Sequence, residues 1–219
     1  MKKSVLFCLF PMLFMGCNQN TSEENRSITE KIAYANGFKN FEEVEEIRYT
    51  FNVRNNDTLR TSRAWTWRPQ ENRVTLTTPD STVTYHHKSE ASAHEQTDQR
   101  FINDKYWLLF PYNLVWDEMN YEHKEQATAP ISGESLQKVT VSYPNEGGYT
   151  PGDSYEVYFG DDHIIREWVY MPGGDSARAF ATTWEDYQDF NGLNIATMHR
   201  SEDRNFELFF TEVEVDLEN

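Results

Sequence analysis

Residues 98–111 read DQRFINDKYWLLFP, and this stretch decides how the rest of the chain is interpreted. Its large apolar residues recur at Phe101, Ile102, Tyr106, Leu109 and Phe110, the spacing of one face of an α-helix rather than the alternation of a strand. The pattern predicts a helix over 98–110 that ends at Pro111, because proline cannot donate the helical hydrogen bond. Extended segments on both sides of this helix would then form two parts of a sheet.

Short extended segments separated by turn residues make up most of the remaining sequence. The alternation from Ile47 to Val53 is typical of a half-buried strand. Further strands are predicted at 58–67, 73–77, 81–87, 138–143, 154–159, 163–171, 177–184, 193–200 and 204–215. Asn191-Gly192 favours a tight hairpin turn, which requires antiparallel neighbours. The polar stretches 88–99 and 120–136 are predicted to be exposed loops.

A second, shorter helix is predicted at 28–36, where the domain begins. Ser27 and Glu30 fit a capping box, and Gly37 supplies a left-handed stop. The segment 18–26 before it contains no large apolar residue, so it cannot bury enough surface to order itself. We interpret it as a flexible tether.

The first sixteen residues have the order of a secretory signal peptide. Lys2 and Lys3 precede an apolar run over 5–15, and Gly16 is a small residue at the cleavage position. The run LFMGC at 13–17 resembles the lipobox of bacterial lipoproteins, which implies that Cys17 becomes a lipid-bearing N-terminus. We therefore expect a signal peptide (1–16), a lipidated cysteine with its tether (17–26) and a single β-rich domain (27–219), anchored at the cell envelope. Outer-membrane anchoring is expected, on the periplasmic face or at the cell surface.

Charge and cysteine content exclude several classes of function. The net charge of -16 would repel phosphate backbones, so nucleic acid is not an expected partner. The two cysteines, Cys8 and Cys17, fall in the signal peptide and at the lipidation position, which leaves no thiol for a disulfide or a metal site. The expected partners are the membrane, through the lipid, and a hydrophobic or lipid-like molecule.

No catalytic or cofactor-binding motif stands out. His86 and His87 are adjacent, and neighbouring residues of a strand point to opposite faces, so they are not expected to share a metal ion. The acidic, glycine-containing stretch 145–162 lacks the ordered spacing of a calcium loop. Neither a Gly-x-Ser-x-Gly elbow nor a glycine-rich phosphate loop is present. We expect no enzyme activity, no metal and no cofactor.

Large aromatic side chains are the candidate binding residues. Aromatic residues make up 15% of a chain whose mean hydropathy is -0.77, which indicates a polar outside around a ring-rich interior. The candidates for lining a ligand cavity are Trp65, Trp67, Tyr85, Phe101, Trp107, Phe110, Trp168 and Trp184, with Arg63 on the strand face of the first two as a partner for an anionic head group. The same rings would also fill a closed core. Two interpretations therefore stay open, a binding protein and a structural or interaction lipoprotein, while a glycan or lipid hydrolase ranks below both.

Three sequence runs and the order of the elements suggest a family. The runs are YANG at 34–37 followed by 44–51, FINDKYWLLFP at 101–111, and YQDFNGL at 187–193. Together they resemble an uncharacterised group of Bacteroidota lipoproteins with the fold of the LolA/LolB lipoprotein carriers and receptors. The resemblance implies an α+β, mostly antiparallel fold: a half-open β-barrel with helices across its concave face and a cavity for acyl chains or another hydrophobic ligand. It supplies no catalytic residues.

Overall fold

The computed structural model describes residues 25–146, 148–149 and 151–218. The predicted signal peptide, Cys17 and most of the tether lie outside the described residues. The described chain contains two α-helices and twelve β-strands, with short 3₁₀ turns between some of them. In chain order these are α1 (Ile28–Ala35), β1 (Val44–Asn55), β2 (Thr58–Arg68), β3 (Arg73–Thr78), β4 (Ser81–His86), α2 (Glu95–Trp116), β5 (Asn120–Thr128), β6 (Ser135–Ser142), β7 (Ser154–Phe159), β8 (Ile165–Met171), β9 (Phe180–Thr183), β10 (Glu185–Phe190), β11 (Leu193–Arg200) and β12 (Phe206–Leu217).

The strands form two antiparallel sheets that meet at one residue. One sheet has the order β10-β11-β12-β1-β2-β3-β4, and the other has the order β5-β6-β7-β8-β9. Trp184 alone separates β9 from β10, and its backbone N–H donates to the Arg166 carbonyl of β8 at 2.7 Å. The outer strands β4 and β5 each pair with one described strand only, so the barrel is open, and α2 connects them in sequence. The predicted fold class is confirmed: mostly antiparallel β, half-open, with a helix on the concave side.

The first helix and the hairpin near the end of the chain form as predicted. The Ser27 Oγ accepts from the Glu30 N–H and the Ser27 N–H donates to the Glu30 carboxylate, which completes the capping box. Gly37 follows the helix with φ of 88°. Asn191 and Gly192 both have positive φ between β10 and β11, as a type I′ turn requires.

The second helix is longer than predicted at both ends. It begins at Glu95, inside the stretch 88–99 that was expected to be a loop, and it continues to Trp116. Pro111 lies within it, so the expectation that this residue ends the helix is wrong. Leu109 leaves the helical conformation (φ -124°, ψ 27°), and the chain then starts a second helical segment. Pro111 falls in the first turn of that segment, where a backbone N–H has no helical acceptor to lose.

One predicted loop contains a strand. Within the stretch 120–136, Asn120–Thr128 forms the edge strand β5, paired with β6. All of its residues except Ala127 are exposed, so no apolar alternation marks it in the sequence. Charged side chains such as Glu122, Lys124 and Glu125 are typical of edge strands, because they discourage pairing with another chain.

The core is divided by α2. Phe101, Leu108 and Leu109 pack with β1–β4, β11 and β12, whereas Phe110 and Leu114 pack with β6–β8. The helix is thus embedded between the two sheets, with part of its surface left exposed.

Candidate functional site

Most of the predicted lining residues are packed in the core. Seven of the eight aromatic candidates are less than a tenth exposed: Trp65, Trp67, Tyr85, Phe101, Phe110, Trp168 and Trp184. The structure does not bring them to one wall. The first four belong to the cluster with β1–β4, and the last three belong to the cluster with β6–β8. Trp107 is partly buried and contacts both clusters.

Arg63 is held inside the protein by an acidic partner. Its guanidinium group donates two hydrogen bonds, both 2.7 Å long, to the carboxylate of Asp104, which is fully buried. The Trp65 indole N–H donates to the same carboxylate at 2.8 Å. The Arg63 guanidinium group also lies over the Phe51 ring. The side chain that the sequence suggested for an anionic head group therefore already has an intramolecular anion.

Two adjoining cavities lie between α2 and the described residues of the 143–153 segment (143–146, 148–149 and 151–153). The smaller cavity, of about 380 Å³, is bounded by α2 and by the β7 and β8 side chains Tyr155, Trp168 and Tyr170. Trp107 belongs to its wall, so two of the predicted aromatic residues, Trp107 and Trp168, line this space. Six of its ten lining residues carry aromatic rings, while Gln99, Asn103 and Asp153 contribute polar groups. It has the size of a small-molecule site.

The larger cavity, of about 570 Å³, is more polar. Its wall contains Lys105 and Trp116 of α2, Asp117 directly after the helix, and Tyr143 of the loop. Ile102, Tyr106 and Tyr149 line both cavities, so the two spaces adjoin along these residues. Together they form one groove with an aromatic part and a charged part, which we call the α2 groove.

Tyr149 stands between the two cavities and is tied to the start of α2. Its hydroxyl donates to the buried carboxylate of Asp98 at 2.6 Å, although the ring is 51% exposed. Asp98 also accepts from the Tyr85 hydroxyl at 2.9 Å and contacts the His87 Nδ1 at 2.6 Å. Burial, with Asp98 as a second cause, raises the pKa of Tyr149 to about 12. These groups join β4, α2 and the loop at one end of the α2 groove.

Lys105 is the one lysine or arginine among the described residues that line the groove. Its ammonium nitrogen lies 5.2 Å from the ring centre of Trp116 and 5.5 Å from that of Trp67. It has no hydrogen bond or ion pair with any residue that the structure describes. Burial lowers the pKa of this amine below its ordinary value, partly offset by the charges of Asp117 and Asp98. The side chain thus contributes an incompletely solvated cation to the wall.

A series of edge-to-face ring contacts lies behind the smaller cavity, starting from Trp107 and Trp168 in its wall. The Trp107 ring lies 4.5 Å from that of Trp168, Trp168 lies 5.4 Å from Trp184, and Trp184 lies 4.5 Å from His199. His199 is fully buried, and burial lowers its pKa to about 3. The wall formed by Trp107 and Trp168 is therefore backed by buried rings, with His199 held in its neutral form.

Sequence reasoning identified the aromatic character of the site but missed its polar residues. Lys105 lies between Phe101 and Leu108 at helical spacing, on the side of the helix that was predicted to be apolar. A charged residue on an apolar helix face indicates a candidate functional position, so the sequence could have pointed to it. Tyr143 was predicted as the last residue of the strand 138–143, and Tyr149 lies in the acidic, glycine-containing stretch 145–162, to which no binding role was given. Their approach to α2 depends on contacts distant in sequence, which no local pattern shows.

No group of three or more His, Cys, Asp or Glu side chains within the described part of the chain is arranged to hold a metal ion. His87 contacts Asp98, and Asp162 pairs with Arg166. No helix among the described residues has the length and apolar character needed to cross a bilayer.

Comparison with known proteins gives likeness of fold only. No family profile matches the sequence, and no curated protein sequence matches it. The chain is similar to a solved structure of a DUF1329 family protein from Desulfovibrio piger, with 10% identity, coverage of 86% of this chain and 93% of that chain, and a TM-score of 0.49. It is also similar to a LolA superfamily protein from Nitrosomonas europaea (6% identity, 87% and 94% coverage, TM-score 0.46). A third similar structure is the lipoprotein LppX of Mycobacterium tuberculosis (8% identity, 85% and 94% coverage, TM-score 0.29).

Proposed function

We propose that this protein binds a hydrophobic or lipid-like ligand, without catalysis, in the α2 groove. One observation carries the proposal: two adjoining cavities of about 380 and 570 Å³ lie along α2 and share the side chains Ile102, Tyr106 and Tyr149. Each volume is within the usual range of ligand pockets, which is roughly 300–1,000 Å³. The smaller cavity, with its wall of rings, suits an acyl chain or another apolar group.

The position of the protein in the cell is part of the same proposal. A lipid on Cys17 would hold the domain at the cell envelope, most simply at the outer membrane, where amphiphilic ligands are abundant. Growth with a labelled fatty acid tests this step: the wild-type protein should take up label and the Cys17→Ser variant should not. Label retained by the variant would contradict lipidation at Cys17.

A direct test of binding uses residues 18–219, which include every described residue. Native mass spectrometry with solvent extraction should show an extra mass that extracts as a lipid. A monoacylglycerol with a brominated acyl chain should quench the tryptophan fluorescence, because Trp107, Trp116 and Trp168 line the groove. Absence of both signals would refute the proposed function.

A matched pair of variants localises the ligand. Ile102→Trp places a large ring where the two cavities adjoin, so it should abolish quenching by the brominated lipid. Val115→Trp places the same ring on the same helix, at a position 36% exposed that does not line either cavity, so quenching should persist. Equal quenching in both variants would place the ligand elsewhere.

A second candidate function rests on the packing of the rings. Seven of the eight predicted lining residues fill the two core clusters, as they would in a structural or interaction lipoprotein. On this alternative the α2 groove is a surface feature. An unliganded mass, together with no quenching by the brominated lipid, would favour it.

A further inference from the structure

The charged part of the α2 groove contains a cation without an ion-pair partner. Lys105 contacts two tryptophan rings, and no carboxylate among the described residues lies within ion-pair distance of its nitrogen. In contrast, the half-buried cations Lys138 and Arg200 are paired with Glu156 and Glu185. A charge that is partly removed from water without a partner is costly. An anionic oxygen supplied from outside would reduce that cost.

The lining of the larger cavity also contains Asp117, and only one of its two carboxylate oxygens accepts hydrogen bonds from described residues. The Oδ2 atom of Asp117 accepts from the Asn113 side-chain amide at 2.9 Å and from the Tyr143 hydroxyl at 2.8 Å. Its Oδ1 atom has no hydrogen-bond partner among the described residues. Glu118 and Glu146, both exposed, also line this cavity. The lining of the larger cavity therefore contains one lysine cation and several anionic oxygens.

We propose that the larger cavity binds the zwitterionic head group of an amphiphile, with a phosphate on Lys105 and an ammonium on Asp117. The inference rests on the proposed function, since the tail of the same molecule would occupy the smaller cavity. A purely anionic head group would meet Lys105 but would be repelled by Asp117, Glu118 and Glu146. A neutral head group would leave the ammonium of Lys105 unpaired. A zwitterion satisfies both charges.

The test compares three probes that share one brominated acyl chain: a monoacylglycerol, a lysophosphatidic acid and a lysophosphatidylethanolamine. Each is titrated into residues 18–219 below its micelle concentration, and tryptophan quenching gives the affinity. The wild-type protein should bind the lysophosphatidylethanolamine at least about tenfold more tightly than the monoacylglycerol, because a charge-assisted hydrogen bond is typically worth that factor. It should bind the lysophosphatidic acid more weakly than the lysophosphatidylethanolamine.

Three variants assign the two charges. Lys105→Met should bring the affinity for the lysophosphatidylethanolamine to within about twofold of that for the monoacylglycerol, while Lys105→Arg should keep the preference. Asp117→Asn, which can still accept from Asn113 and Tyr143, should remove the discrimination against the lysophosphatidic acid. Thermal unfolding of each variant confirms that it is folded, and the Asp117→Asn result stands even if Lys105→Met does not fold.

The possible failures are distinguishable. If none of the three probes quenches the wild-type protein, the proposed function is refuted, and the head-group site falls with it. If all three bind equally, or if Lys105→Met keeps the full preference, the groove binds lipids but the head-group assignment is wrong. If the lysophosphatidic acid binds most tightly, the site is anionic rather than zwitterionic, which also overturns the proposal.

Discussion

Lowering the pH should destabilise this protein through one buried histidine. His199 lies among the rings of Trp107, Trp184 and Phe210, and its Nδ1–H donates to the Thr183 carbonyl at 3.2 Å. Its Nε2 is buried and has no hydrogen-bond partner among the described residues. Protonation would place a bare N–H and a positive charge in an apolar layer. Burial accordingly lowers the pKa from 6.5 to about 3.

The magnitude follows from proton linkage. Below pH 6.5 the unfolded chain binds a proton at His199 that the folded chain does not, so stability is present above pH 6.5 and is lost as the pH falls toward 3. The loss is about 1.4 kcal/mol for each pH unit in this window. Between pH 7.5 and pH 4.5 it amounts to about 3 kcal/mol, which is a large fraction of the stability of a typical domain.

Urea unfolding of the wild type and of His199→Gln, at pH 7.5 and at pH 4.5, measures this effect. Because the net charge of the whole chain also approaches zero near its isoelectric point of 4.7, only the difference between the two proteins is informative. That difference should change by about 3 kcal/mol in favour of the variant as the pH falls. His123→Gln, at an exposed position, is the matched control and should show no such change. A pH dependence identical in wild type and His199→Gln would refute the reasoning.

Three further perturbations test the packing around α2 by urea unfolding. Arg63→Met leaves the buried carboxylate of Asp104 without its cation and should cost about 3–5 kcal/mol; a cost below 1 kcal/mol would contradict the role of the pair. Gly37→Ala, at φ of 88°, drives a methyl group into a backbone carbonyl of the β10–β11 turn and should cost more than about 2 kcal/mol, whereas Gly133→Ala, at φ of 72° in open space, should cost about 1 kcal/mol. Lys105→Met should leave the ligand-free protein as stable as the wild type or more stable, and a marked loss would mean that the amine serves the fold.

The sequence was sufficient for the fold class because most strands bury one face. The alternation of apolar and polar residues reflects that burial, so β1 was predicted from the period of Ile47 to Val53. In the structure β1 is buried more fully than predicted, because Thr50 and Asn52 on its other face are also buried. The edge strand β5 buries almost none of its side chains, so its sequence shows no alternation of apolar and polar residues. The continuation of α2 beyond Pro111 depends on the break at Leu109, which is a backbone feature that residue types do not specify.

The candidate site was predictable only in its general character. A tryptophan in a core and a tryptophan in a cavity wall leave the same pattern, since both sit on an apolar face. Trp65 and Trp107 were indistinguishable in the sequence, yet Trp65 is 1% exposed inside one cluster while Trp107 borders the smaller cavity. Which ring borders a cavity depends on how Tyr143, Tyr149 and the other described residues of the 143–153 segment approach α2. That approach is fixed by hydrogen bonds such as Tyr149 to Asp98, whose partners are 51 residues apart.

The polar residues on α2 are of two kinds. Asp98 and Asp104 have partners within the fold, whereas Lys105 is available to a ligand. Asp98 accepts from two tyrosine hydroxyls, Asp104 is paired with Arg63 and Trp65, and both are almost fully buried. Removal of a partner from such a group is expensive, so these residues serve the structure. Lys105 lies on the same helix, borders the larger cavity and has only ring contacts within the described chain. If Arg63→Met destabilises the protein while Lys105→Met does not, then no contact within the described fold compensates the free-energy cost of keeping Lys105 partly desolvated. The proposed anionic group would then account for a lysine at this position.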